Sequence, residues 1–294
     1  MPRIQSPGYP WRVLWRNVLW VVGWAGGLWG AGLFMRAGNF VLALLLLLFS
    51  LGLLWRRAGI SSISALIRFC LNPSTPVTKV ANPFSWGCYL FGYNLFLTII
   101  SAIFVAFPMV KHLGASFIPR PGLGWAWVIA PVVEELSFRL PLRYTGINLT
   151  VSALLVTRFT VHLLLLKFGI FGLATATKRW LWSAVFAILV ATVVFVLLRS
   201  DPVKRLASRI WLNHFRSVLY VSCFAFGLLH ISNFRFTTFT AETLLLAPLV
   251  VLPQIISGFI LAFARMRLGM IWCIVLHAAT NNFLAFWLFP IRPR

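Results

Sequence analysis

The sequence predicts an all-α fold: a polytopic bundle of transmembrane helices, about 8–9 spans, with one or two amphipathic helices lying in the interface. Three observations carry this. Of 294 residues, 61% are hydrophobic, and the mean hydropathy is +0.92. Only four residues are acidic, against 26 Lys and Arg. The apolar residues form runs close to the length of a bilayer crossing, and the basic residues stand at the ends of those runs. Composition therefore excludes an ordinary soluble domain. A formal charge of +22 would suggest nucleic acid in a soluble protein. Basic residues at span ends instead make anionic lipids the expected partner, with no nucleic acid.

The elements follow in order, without an internal repeat. Arg3, Arg12 and Arg16 precede an apolar stretch that runs to Phe34, too long for the core of a signal peptide, so it reads as an uncleaved first helix. Residues 12–34 and 39–55 form an antiparallel pair. In residues 56–71, Ile60, Ile63, Leu66 and Ile67 recur at helical spacing, while Arg57, Ser61, Ser64 and Arg68 fill the other face. That pattern suits a helix in the plane of the interface. Residues 72–87, with Pro73, Pro76 and Pro83, make a loop and close an N-terminal unit, 1–87.

The second unit, 88–294, begins with a span at 88–110 and a turn at Pro119-Arg120-Pro121-Gly122. A helix at 125–140 follows, closed by Pro141, and then a hairpin of two spans, 147–166 and 181–198. Asp201-Pro202 is a helix-start signal, with Asp placed to cap free amides. It opens a basic amphipathic helix with Lys204, Arg205 and Arg209 against Leu206, Ile210 and Trp211. The last spans are 217–231, 243–264 and 268–289. Lys and Arg summed on alternate sides favour the N-terminal side, which agrees with an N-terminus in the cytoplasm, and the cell membrane is the expected location. Cys70, Cys88, Cys223 and Cys273 have no metal-ligand spacing, and three of the four read as small apolar fillers.

Glu134 and Glu135 break the pattern. Half of the chain's acids stand together after an apolar run, where even one ionisable group costs about 2.5–3.5 kcal/mol at the bilayer centre. Glu135 and Arg139 are related as i and i+4, so Arg139 can neutralise that carboxylate, and Glu134 points about 100° away. Other polar groups at apparent membrane depth are His230, and His277 with Asn281 at i,i+4 on one face. A desolvated carboxylate beside a histidine suits a general base.

These residues resemble a known family. E-E-x-x-x-R (Glu134, Glu135, Arg139), F-x-x-x-H (Phe226, His230) and H-x-x-x-N (His277, Asn281) occur in order on three hydrophobic segments, as in the CAAX-protease and bacteriocin-processing (CPBP) family of intramembrane glutamic endopeptidases, which includes the type 2 CAAX prenyl protease. The resemblance covers roughly residues 88–289. It implies an integral-membrane endopeptidase that hydrolyses peptide bonds of proteins or peptides presented at the membrane, with no cofactor and no metal. Glu134 and His230 would activate water, His277 and Asn281 would donate to the oxyanion, and Glu135 and Arg139 would organise the site.

One departure stands out. Arg139 and His230 are 91 residues apart, wider than the family pattern, and the excess is an inserted hairpin at about 147–198. It carries Arg158 and His162, one turn apart, of which Arg158 is expected to snorkel. Rival readings remain. Glu134, His230 and His277 would suit a zinc protease, although H-E-x-x-H is absent. A non-catalytic immunity or scaffold protein could keep the fold, and a proton-coupled transporter could use the Glu pair.

Overall fold

A computed structural model describes residues 39–73, 80, 82–117, 128–168, 175–238 and 240–288, with scattered positions between 19 and 33. Most of the expected first span, the turn at 119–122 and the tip of the hairpin lie outside the described residues. The rest is mostly helical. The helices are α1 (Phe40–Leu71), α2 (Pro83–His112), α3 (Ala130–Phe138), α4 (Gly146–Phe168), α5 (Ala176–Leu197), α6 (Asp201–Asn213), α7 (Phe215–Leu229), α8 (Ala241–Val250), α9 (Leu252–Arg267) and α10 (Met270–Leu288). A two-residue antiparallel ladder joins β1 (Ser116–Phe117) to β2 (Phe234–Arg235).

Among the described residues, four helices are long and apolar enough to cross a membrane: Pro83–His112, Gly146–Leu166, Ala176–Leu197 and Phe215–Asn233. The α8–α9 pair makes a fifth if its 45° bend lies within one span. A single span was expected at 243–264. Pro248 inside α8 and Pro253 in the first turn of α9 break it, because proline removes an amide donor and its ring clashes with the preceding turn.

Two other boundaries differ from expectation. Residues 39–71 were read as a span and a separate surface helix, yet α1 runs unbroken for 32 residues, started by Asn39, whose side chain accepts from the Leu42 amide. The polarity changes at Arg56-Arg57-Ala58, but these are good helix formers and nothing there interrupts the backbone. At α6, Ser200 holds the cap position and Asp201 lies in the first turn, where its charge complements the positive end of the helix dipole.

The core centres on α9, buried continuously from Ile260 to Met266. Around it pack Leu90, Leu95 and Ile99 of α2, Leu219 and Cys223 of α7, and Leu276 of α10. Leu66 and Phe69 of α1 join the same cluster, and Ser62 shares a 2.7 Å hydrogen bond with the Tyr93 hydroxyl. Close approach of α7 to α9 depends on Gly227, since a Cβ there would overlap the Ile255 side chain and lie 3.0 Å from its backbone. Small residues let apolar helices pack where lipid offers no hydrophobic drive to associate.

The hairpin is built differently. α5 packs along α4 through Ser183, Ala187 and Ala191, spaced four apart and buried. Its other faces are exposed apolar side chains, among them Phe186, Leu189, Val193 and Val196.

Candidate active site

The short helix α3 brings the carboxylates to the centre of the bundle. Such a helix leaves its last carbonyls without intrahelical partners, and three other helices supply them. Ser152 of α4 donates to the Ser137 carbonyl, Ser222 of α7 to that of Phe138, and Arg265 of α9 to that of Arg139 at 3.1 Å. The end of α3 is thereby fixed relative to α4, α7 and α9.

Glu135 is fully buried and surrounded by donors. His277 Nδ1 lies 2.8 Å from Oε1, the Cys273 thiol donates to Oε2 at 2.7 Å, and Arg139 Nε stands 3.5 Å from Oε2. Arg139 is fully buried too; it donates to the Gly258 carbonyl at 3.3 Å, and its guanidinium covers the Phe226 ring at 3.9 Å. The same ring packs edge-on against His230 and His277, at 4.8 and 5.6 Å between centroids. Phe226 therefore holds three polar groups around one apolar face.

Glu134 points the other way, into an open cleft of about 80 Å³. Its Oε2 is 3.6 Å from His277 Nε2 and 3.8 Å from His230 Nε2, and it has no hydrogen-bond partner among the described residues. The tautomers follow from the other ring nitrogens. His230 Nδ1 faces the Phe226 carbonyl at 2.8 Å, and a carbonyl can only accept, so this nitrogen carries hydrogen. His277 Nδ1 faces the Glu135 carboxylate in the same way. In both neutral rings Nε2 is then a lone pair. Three acceptor atoms meet across gaps too long for direct hydrogen bonds, and such gaps suit a bridging water that donates to two of them.

Of the residues singled out by sequence, Glu134, Glu135, Arg139, His230 and His277 lie in this cluster. Asn281 is half-buried one turn beyond His277 and is not among the residues lining the cleft. Asn233 and Ser232, in the 3₁₀ turn that follows α7, do line it, as do Val156 and Phe159 of the hairpin. Neither pair was anticipated. Cys273, read as a filler, is a donor to Glu135, and its i,i+4 relation to His277 is a signal that could have found it. Arg158 turns toward α5, donating to Ser183 Oγ at 3.2 Å, and does not reach the cluster. Among the described residues, no group of three or more His, Cys, Asp or Glu side chains is arranged to hold a metal ion.

No protein-family model matches the chain, and no curated protein or solved structure does either. The functional reading rests on the site.

Proposed function

We propose that the chain is an integral-membrane glutamic endopeptidase of the CPBP type, cleaving peptides or proteins presented at the membrane. The observation that carries this reading is the convergence of Glu134 Oε2 with two imidazole nitrogens, at 3.6 and 3.8 Å, beside a cleft. A water held there donates one hydrogen to Glu134 and another to His230, and its oxygen lone pair is free to attack a peptide carbonyl. Glu134 takes the proton as the carbon–oxygen bond forms and passes it to the leaving amine as the carbon–nitrogen bond breaks. Glu135, held by Arg139 and Cys273, fixes the His277 ring. His277 Nε2 would donate to the oxyanion in the doubly protonated ring. Asn281 completes the donor pair of the family pattern only if substrate binding brings it to the cleft, while Asn233 already lies at its wall.

With the α8–α9 pair as a fifth span, the N-terminal span, the apolar start of α1 and α10 make eight crossings, and the segment around α3 would be a ninth. The chain sits in the cell membrane with its N-terminus in the cytoplasm, as the positive-inside bias favours.

The test uses the full-length chain in detergent micelles with a proteome-derived peptide library as substrate. New peptide termini are expected from the wild type, with a loss of 10²-fold or more in Glu134→Gln. Equal cleavage by a well-folded Glu134→Gln overturns the glutamate mechanism. A wild type that cleaves nothing, with the same cellular phenotype as that variant, favours the non-catalytic scaffold.

A further inference from the structure

The hairpin holds a second polar cluster, far from the carboxylates. Arg158 of α4 is half-buried, and its guanidinium meets neutral groups: the Ser183 hydroxyl at 3.2 Å and the Trp180 ring at 4.4 Å. Ser183 Oγ in turn donates to the Trp180 carbonyl at 2.8 Å, so its lone pairs are what Arg158 meets. One turn along α4, His162 lies within electrostatic reach of both Arg158 and Arg179 and shares a hydrogen bond with the Arg179 backbone, and its Nδ1 is buried with no hydrogen-bond partner among the described residues. Lys178, next to Arg179 in the sequence, is exposed in the first turn of α5. The chain's four carboxylates are elsewhere. Glu134 and Glu135 are in the candidate active site, Glu242 pairs with His112, and Asp201 opens α6 past the other end of α5.

Depth says what can neutralise this cluster. α5 has 22 residues, about 33 Å at 1.5 Å per residue, close to the roughly 30 Å of a hydrocarbon core. Its first turn, with Lys178 and Arg179, therefore lies at the headgroup boundary, and Trp180 and Trp182 follow in the next turn as in an interfacial aromatic belt. Below them the outer face of α5 is apolar and exposed. The positive groups and the apolar strip lie end to end, which is the complement of an amphiphile with an anionic head.

We propose that the end of the α4–α5 hairpin is a binding site for an anionic phospholipid. Its phosphate sits among Arg158, His162, Lys178 and Arg179, and its acyl chains lie along the exposed face of α5. The guanidinium forms paired hydrogen bonds to phosphate oxygens from one edge while its flat face stays on Trp180. Bound lipid becomes the outer wall of a hairpin whose inner helix lines the cleft through Val156 and Phe159. The proposal is independent of the protease reading.

The full-length chain in detergent is titrated with phosphatidylglycerol, with phosphatidylcholine of the same acyl chains, and with inorganic phosphate. Bound lipid is counted by native mass spectrometry. Phosphatidylglycerol should bind at least tenfold more tightly than phosphatidylcholine and resist displacement by millimolar phosphate. Arg158→Gln should lose about tenfold in that affinity, and Arg158→Lys should lose less. Lys204→Gln, on α6 past the other end of α5, should leave this tight site intact. Equal binding of the two lipids, or an unchanged Arg158→Gln, overturns the site, and displacement by free phosphate overturns the assignment to a lipid. Should Arg158→Gln fail to fold, Lys178→Gln serves: a drop of about threefold supports the site, and wild-type affinity overturns it.

Discussion

At the scale of single residues, the two adjacent glutamates have opposite environments. Glu135 is closed in by three donors, while Glu134 faces two gaps. Side-chain spacing separates them, because neighbouring helix positions point about 100° apart. This much was legible in the sequence: i,i+4 from Glu135 reaches Arg139. Cys273 was not, since a thiol in an apolar run looks the same whether it fills space or donates a hydrogen bond. Cys273→Val should lower stability by about 1–3 kcal/mol, the usual result of leaving a buried acceptor short of a donor. Cys273→Ser should lower it less, because the hydroxyl can still donate. Denaturant unfolding in micelles reads both, and equal stability of the two variants means the thiol gives Glu135 nothing. Arg139→Met should be harsher, about 3–5 kcal/mol, because it strands a buried carboxylate.

At the scale of elements, the span cores were legible and the interruptions were not. Residues 147–166 announce α4 by composition alone. The break between α8 and α9 needs Pro248 and Pro253 to be weighed together, since a single proline is often tolerated in a membrane helix. What holds the end of α3 could not be read at all. Its carbonyl partners Ser152, Ser222 and Arg265 are scattered over more than a hundred residues, and only the fold collects them. Packing between elements is tightest at Gly227. Gly227→Val should push α7 from α9 and shift His230, one turn away, with a loss of at least about 1–3 kcal/mol. Thermal unfolding and peptide cleavage should fall together. A variant with wild-type values for both would show that α7 and α9 do not need this contact.

At the scale of the whole molecule, hydropathy indicates a membrane protein, and the described helices include four or five fit to cross. Thr175 and Ser200 flank α5 and are both exposed. With Cys70 and Cys88 replaced by alanine, Thr175→Cys and Ser200→Cys should react with an impermeant maleimide from opposite sides of sealed vesicles. Labelling from one side would mean α5 does not cross. Metal dependence of the proposed activity belongs to the same scale. Chelators should leave cleavage unchanged, and loss restored by Zn²⁺ would replace glutamate-activated water with a zinc centre at Glu134, His230 and His277.

The way α3 ends also bears on the order in which the protein comes into being. Its carbonyl partners arrive late: Ser152 soon after α3 is made, Ser222 some seventy residues later, Arg265 close to the end of the chain. Until Arg265 is in place, a buried carbonyl beside the carboxylates lacks its donor, at a cost of several kcal/mol in lipid. His277, which faces both glutamates, is made later still. On the proposed function, a chain halted during synthesis would carry Glu134 without the structure that makes it reactive, and a membrane holding such fragments would be safe from them.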